Sequence, residues 1–147
     1  MIMKAGITDA ESGVQDLSWN ILGQTYVPKH LSDSSLSWHA TFPPDTFVPP
    51  HIHPTQDEFV YMLEGRLDFW FDGAEGHAVA GGLAKLPMGV PHGIFNKSGQ
   101  TVKCLFWVSP TRKLFDLFQA IHNVGDPAEV VRIAALHEVE FLPPPAG

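Results

Sequence analysis

The chain has 147 residues, 44% hydrophobic and 11% aromatic, enough to fill the core of one domain. Only 17% are charged and the formal net charge is −7 with no basic stripe against it. A disordered, solvating chain is thereby excluded, and nucleic acid and anionic membrane are poor partners. The one cysteine, Cys104, permits no internal disulfide and lies in an apolar run, 102–108, where it reads as a buried, inert thiol. A cytoplasmic setting is expected.

The opening stretch MIMKAGITDAESG has no apolar run of leader or membrane-spanning length, so neither is expected. Thirteen Gly and thirteen Pro then cut the chain into short segments. Ser18–Thr25 reads as a first strand. Leu36–Phe42 alternates, with Leu36, Trp38, Ala40 and Phe42 on one side and Ser37, His39 and Thr41 on the other. Pro43-Pro44-Asp45 is a turn, and Pro49-Pro50 marks a corner or a sheet edge. Segments 58–64 and 66–72 follow, separated by Gly65. Asp72-Gly73 gives a hairpin signal, with Glu75-Gly76 as a second turn. Segments 77–80, 83–86, 92–96 and 102–108 complete eight or nine strands with no helix between them. This predicts an all-β sandwich or barrel.

The last third is helical. Leu114, Leu117, Phe118 and Ile121 recur at helical spacing. A second helix is announced by Asp126 as N-cap, Pro127 at the first helical position and Glu129 in a capping box, and is expected to run to about His137. Val139–Leu142 is an extended tail, and Pro143-Pro144-Pro145 ends the order. One domain spanning 1–147 is expected, its helical segment (110–142) lying outside the strands or over one mouth.

Two spaced motifs carry the chemistry. The first is His51-x-His53-x4-Glu58-x6-Gly65, and the second Gly81-x5-Pro87-x-Gly89-x2-His92-x3-Asn96. Three imidazoles and one carboxylate are enough to hold a transition metal and leave room for a substrate. On a strand, His51 and His53 face one way. Glu58 lies an odd number of residues beyond His53, so it joins them only if Pro54-Thr55-Gln56-Asp57 turns the chain. Asp57 then points away, and Gln56 is set aside as an outer ligand. His30, His77, His122 and His137 read as structural or exposed. His39 reaches the cavity only if the polar face of its strand turns inward, against the expectation that Trp38 faces in.

These motifs resemble the paired signatures of the cupin superfamily. The second matches at every position. The first matches at His51, His53, Glu58 and Gly65 and departs at its leading glycine, where this chain has Asp45. The resemblance covers residues 43 to 96 and implies an antiparallel jelly-roll β-barrel over about residues 18–109, with His51, His53, Glu58 and His92 holding one divalent metal. Fe, Mn, Co, Ni, Cu and Zn all suit such a set. The stretch PPHIHPTQDEFVYMLEG with two later helices is similar to quercetin dioxygenase-like cupins.

If Glu58 points inward, so do Val60 and Met62, and with His92 goes Ile94. Either these residues line a mainly apolar pocket, favouring an aromatic or partly apolar small molecule over a sugar or nucleotide, or they fill the interior and leave a small void. On the outer face Phe59, Tyr61 and Leu63 need cover, from a second subunit or the helices, and a homodimer is expected. The leading functional expectation is a metal-dependent dioxygenase acting on a small aromatic or enolic substrate, with Glu58 as ligand and general base. The alternatives are a non-redox isomerase, cyclase or lyase, and a non-catalytic small-molecule-binding protein.

Overall fold

The computed structural model describes residues 1–143, so Pro144 and Pro145 of the terminal proline run lie outside the described residues. The strands are β1 (Trp19–Ile21), β2 (Gln24–Leu31), β3 (Leu36–Phe42), β4 (Phe47–Ile52), β5 (Asp57–Glu64), β6 (Arg66–Phe71), β7 (Ala74–Val79), β8 (Leu83–Leu86), β9 (His92–Phe95), β10 (Val102–Ser109) and β11 (Glu140–Phe141). Two helices, α1 (Leu114–Ile121) and α2 (Pro127–Ala135), separate β10 from β11. The strands form a six-stranded sheet, β1-β2-β3-β10-β5-β8, and a five-stranded sheet, β11-β4-β9-β6-β7. Every pairing is antiparallel. The two sheets do not hydrogen-bond into one closed barrel; they face each other across a shared core.

Alternation decides which side chains form that core. On β3, Leu36, Trp38, Ala40 and Phe42 are buried, and His39 faces outward. Val60 and Met62 on β5 and Phe106 on β10 meet Leu67, Phe69 and Ile94 from the opposite sheet. Burial pushes the Cys104 thiol well up, so it stays protonated and inert.

Several local features differ from the sequence expectation. The segment 18–25 is a hairpin rather than one strand, because Leu22 (φ +52°) and Gly23 (φ +83°) turn the chain between β1 and β2. Asp72 (φ +45°) and Gly73 (φ +94°) make the β6–β7 turn, which leaves Glu75 and Gly76 inside β7. The Pro49-Pro50 pair sits within β4 at a register shift against β9, where a missing N–H costs no ladder bond. Helix α2 begins at the Asp126 cap, whose side chain accepts from the Ala128 N–H, and it ends at Ala135, short of His137. Glu129 makes no capping box; its carboxylate pairs with Arg132 instead.

The tail after α2 returns to the sheet. Glu140 and Phe141 pair with Ile52 and His51 of β4, and the Leu142 N–H donates to the Pro50 carbonyl. This closes the helical segment over the end of the fold that carries both histidines of the first motif.

Candidate metal centre

The four residues singled out by spacing converge. His51 and His92 are direct cross-strand partners on β4 and β9, with ring centroids 4.3 Å apart. His53 follows the end of β4, and Pro54-Thr55 turns the chain back into β5, which starts at Asp57 and carries Glu58 on the opposite sheet. Glu58 Oε2 lies 3.0 Å from His92 Nε2 and 3.4 Å from His53 Nε2. One donor atom from each residue can be chosen so that all lie within 4.8 Å of one another, and all four residues are buried. The cluster therefore bridges the two sheets.

The outer ring nitrogens decide what the inner ones can be. His51 Nδ1 lies 2.7 Å from the Pro49 carbonyl oxygen, and His53 Nδ1 lies 2.7 Å from Gln56 Oε1. The Gln56 amide is fixed the right way round, because its Nε2 donates to the carbonyls of Pro110 (2.9 Å) and Thr111 (3.1 Å). Carbonyl oxygens only accept, so both Nδ1 atoms carry the proton. The neutral rings then present bare lone pairs at Nε2. His51 Nε2 and His53 Nε2 face each other at 3.2 Å with no hydrogen to share. His92 Nε2 and Glu58 Oε2, close as they are, have no hydrogen-bond partner. His92 Nδ1 points toward the Val90 carbonyl at a longer 3.4 Å.

Burial disfavours the charged form of His51 and His53. It lowers the His51 pKa well below 6.5, and the neighbouring His92 and His53 lower it further. Burial likewise lowers His53, against the pull of Glu58. For Glu58, burial acts upward, but the surrounding imidazoles outweigh it and hold the carboxyl at about 2. Two inward ring lone pairs, a third imidazole and one carboxylate thus converge, a set that could hold a divalent transition metal.

The cluster opens onto a cavity of about 50 Å³. Its wall takes Ile21, Tyr26, Trp38, Val48, Ile94 and Phe106 from the sheets, and Leu114, Leu117, Phe118 and Ile121 from α1 cover the mouth. Among the described residues no Lys or Arg lines it. Ile94 lines the cavity as its parity requires. Val60 and Met62 face inward and are fully buried, but they do not line the cavity. At Val60's level its neighbours across the sheet, Phe106 and Trp38, supply the wall with larger rings.

Residues 38–108 match the family described as Cupin domain. The match spans just under half of the chain. All four cluster residues fall inside it. No curated protein matches the chain by sequence. Among solved structures, KdgF from Halomonas sp. aligns with a TM-score of 0.66 at 15% identity, over 76% of this chain and 99% of that one. TT1209 from Thermus thermophilus aligns at 0.56 with 26% identity, over 59% of this chain and 83% of that one. A sugar phosphate isomerase from a cupin superfamily, from Silicibacter pomeroyi DSS-3, aligns at 0.57 with 24% identity, over 72% of this chain and 70% of that one.

The structure also accounts for the other positions of the two spaced motifs. Asp45, in place of the leading glycine, adopts φ +67° itself, and its N–H donates to the Asn96 carbonyl. The Asn96 side chain returns the tie by donating to the carbonyls of Phe42, Pro43 and Gln100. Gly65 (φ +88°) approaches Val102 so closely that a Cβ would lie 2.9 Å from its side chain. Asp57 points away from the cluster and accepts the Met88 N–H at the corner before His92. The residue that sequence reasoning undervalued is Gln56. Its place three residues after His53, within the turn, was the available signal.

Proposed function

We propose that the chain holds one divalent transition metal through His51, His53, Glu58 and His92 and works as a dioxygenase on a small enolic or aromatic substrate. The observation that carries this reading is the convergence of His51, His53, Glu58 and His92, with the Nε2 lone pairs of His51 and His53 turned inward, beside an apolar-walled cavity. A bound redox-active ion supplies Lewis acidity and the single-electron steps that dioxygen chemistry requires. The scaffold of this reading is a jelly-roll barrel, consistent with the solved structures that align with the chain.

This chain's own residues supply the rest. Glu58 stays ionised, and its unpartnered Oε2 can take the proton of a substrate hydroxyl. The α1 side chains keep bulk water from the reacting atoms. A wall without Lys or Arg offers a phosphate dianion no partner beyond the proposed metal, which argues against sugar phosphates. The closed cavity fits the smaller, enolic end of the substrate class, and a larger aromatic enters only with α1 displaced.

The test is oxygen uptake by protein loaded in turn with Fe, Mn, Co, Ni and Cu, given small enols, catechols and a flavonol. Uptake with at least one pairing is expected. Turnover that persists under strict anaerobiosis contradicts the dioxygenase and supports the isomerase, cyclase or lyase.

The same proposal includes a homodimer. Tyr61, Leu63 and Leu83 are exposed on the outer face of β5 and β8, beside the stacked rings of Phe59 and Trp107. The helices lie over the other side of this sheet, at the cavity, so they leave this face open. A second copy placed by a two-fold axis would cover the strip with its own.

A further inference from the structure

One residue of the cavity wall carries a donor with nothing to donate to. Trp38 lines the cavity and is 1% exposed, yet its Nε1–H has no hydrogen-bond partner. Buried indole donors are seldom left this way. The other fully buried tryptophan of the chain, Trp19, donates from Nε1 to Gln119 Oε1 at 2.7 Å. Trp38 cannot swing away to find a partner. Its ring stacks on Phe106 at 5.1 Å and 15°, meets Phe118 of α1 edge-on at 5.1 Å, and rests against Tyr26 at 5.9 Å.

Outside His51, His53 and Glu58, the lining offers few polar groups. The Tyr26 hydroxyl is already committed, donating to Gln24 Oε1 at 2.6 Å. The remaining lining residues are aliphatic or phenylalanine. Strand register puts Trp38 near the cluster: Val108 of β10 pairs with Glu58 and Leu36, and Phe106, two residues back on the same strand, pairs with Trp38. Trp38 thus stands one inward-facing position along from the level of Glu58, across β10.

We propose that the Trp38 Nε1–H is the orienting donor for the ligand: it hydrogen-bonds an oxygen of a small, neutral or singly charged molecule whose oxygen is also held at the four-residue cluster. This rests on the metal reading above and adds a specificity determinant to it. The ligand class is an oxygen acceptor of a few heavy atoms, such as an enolate, hydroxamate or short carbonyl compound, with an apolar remainder against Leu117, Phe118 and Ile94. A hydrocarbon of the same shape leaves the indole unpaired and is discriminated against.

The probe is acetohydroxamate, added to the full chain loaded with zinc, which is diamagnetic. Zinc content is measured on the same samples. The indole N–H resonance of Trp38, identified by its loss in Trp38→Phe, is expected to move downfield on acetohydroxamate addition, while that of Trp19 stays. Trp38→Phe keeps a stacking ring and is expected to bind zinc as wild type does and acetohydroxamate about tenfold more weakly. An unmoved Trp38 resonance with acetohydroxamate bound overturns the proposal, and so does equal affinity in Trp38→Phe; either leaves the metal reading intact. Wild-type protein that takes up no zinc overturns the metal reading, and the proposal with it. If Trp38→Phe does not fold, the wild-type spectrum still decides, because Trp19→Phe then identifies the competing buried resonance.

Discussion

Gln56 shows how a residue outside the donor set fixes it. Its Oε1 holds the His53 ring in one tautomer, and its Nε2 anchors that ring to the Pro110-Thr111 carbonyls just before α1. Partners of this kind are commonly worth 10–100-fold in metal affinity. Gln56→Ala is therefore expected to lower affinity by about that factor in a chelator competition, without unfolding the protein; unchanged affinity contradicts the positioning role. The imidazoles give a second prediction, for metal-free protein. The folded-state pKa values of His51 and His53 lie below the ordinary 6.5, so in the window beneath 6.5 the unfolded chain binds more protons than the folded one. Stability is then lost as pH falls below that value. Glu58, held at about 2 against an ordinary 4.5, adds a further loss at lower pH. The melting temperature is expected to decline from about pH 6.5 downward; a flat profile to about pH 5 contradicts neutral buried rings.

At the scale of elements, the turn before β4 carries a test of its own. Asp45 occupies a left-handed conformation that costs most residues ~1–2 kcal/mol, less for Asp. Asp45→Gly is expected to be neutral or stabilising and Asp45→Ala to lose about 1 kcal/mol, read by denaturant unfolding. Equal effects would show that the conformation is not what the position demands. This turn also marks what was legible in the sequence. Asp72-Gly73 announced its hairpin because that pair favours positive φ, whereas Leu22-Gly23 makes a similar turn without the signal and so hid the β1–β2 break. Pro28 masked the rest of β2; it is tolerated next to a register shift against β3. The apolar spacing of Leu114, Leu117, Phe118 and Ile121 located α1 but could not say what its face covers. That depends on the long-range return of β11 to β4. Parity likewise identified inward side chains, but not their depth, which separates Ile94 in the wall from Met62 in the packed core.

For the whole molecule, two sheets meet at the end where β4, β9 and β5 deliver their donors, and the chain after α2 folds back to close that end. The closure is clasped at the surface by Arg112, before α1, and Glu138, after α2, whose carboxylate also accepts from Thr55 in the turn next to Gln56. The opposite, outer face of the six-stranded sheet remains apolar at Tyr61, Leu63 and Leu83. Sedimentation is expected to give twice the chain mass for the wild type and the chain mass for a Tyr61→Glu, Leu63→Glu double variant; a monomeric wild type contradicts the proposed dimer. No helix among the described residues is long and apolar enough to cross a membrane. The central claim is that His51, His53, Glu58 and His92 form one metal site, and metal analysis tests it most directly. Protein purified without added metal, then loaded and dialysed, is predicted to carry about one divalent ion per chain, and His92→Ala and Glu58→Ala to carry far less while remaining folded. A wild type that cannot be loaded, or variants that hold metal as well as it does, would contradict the account.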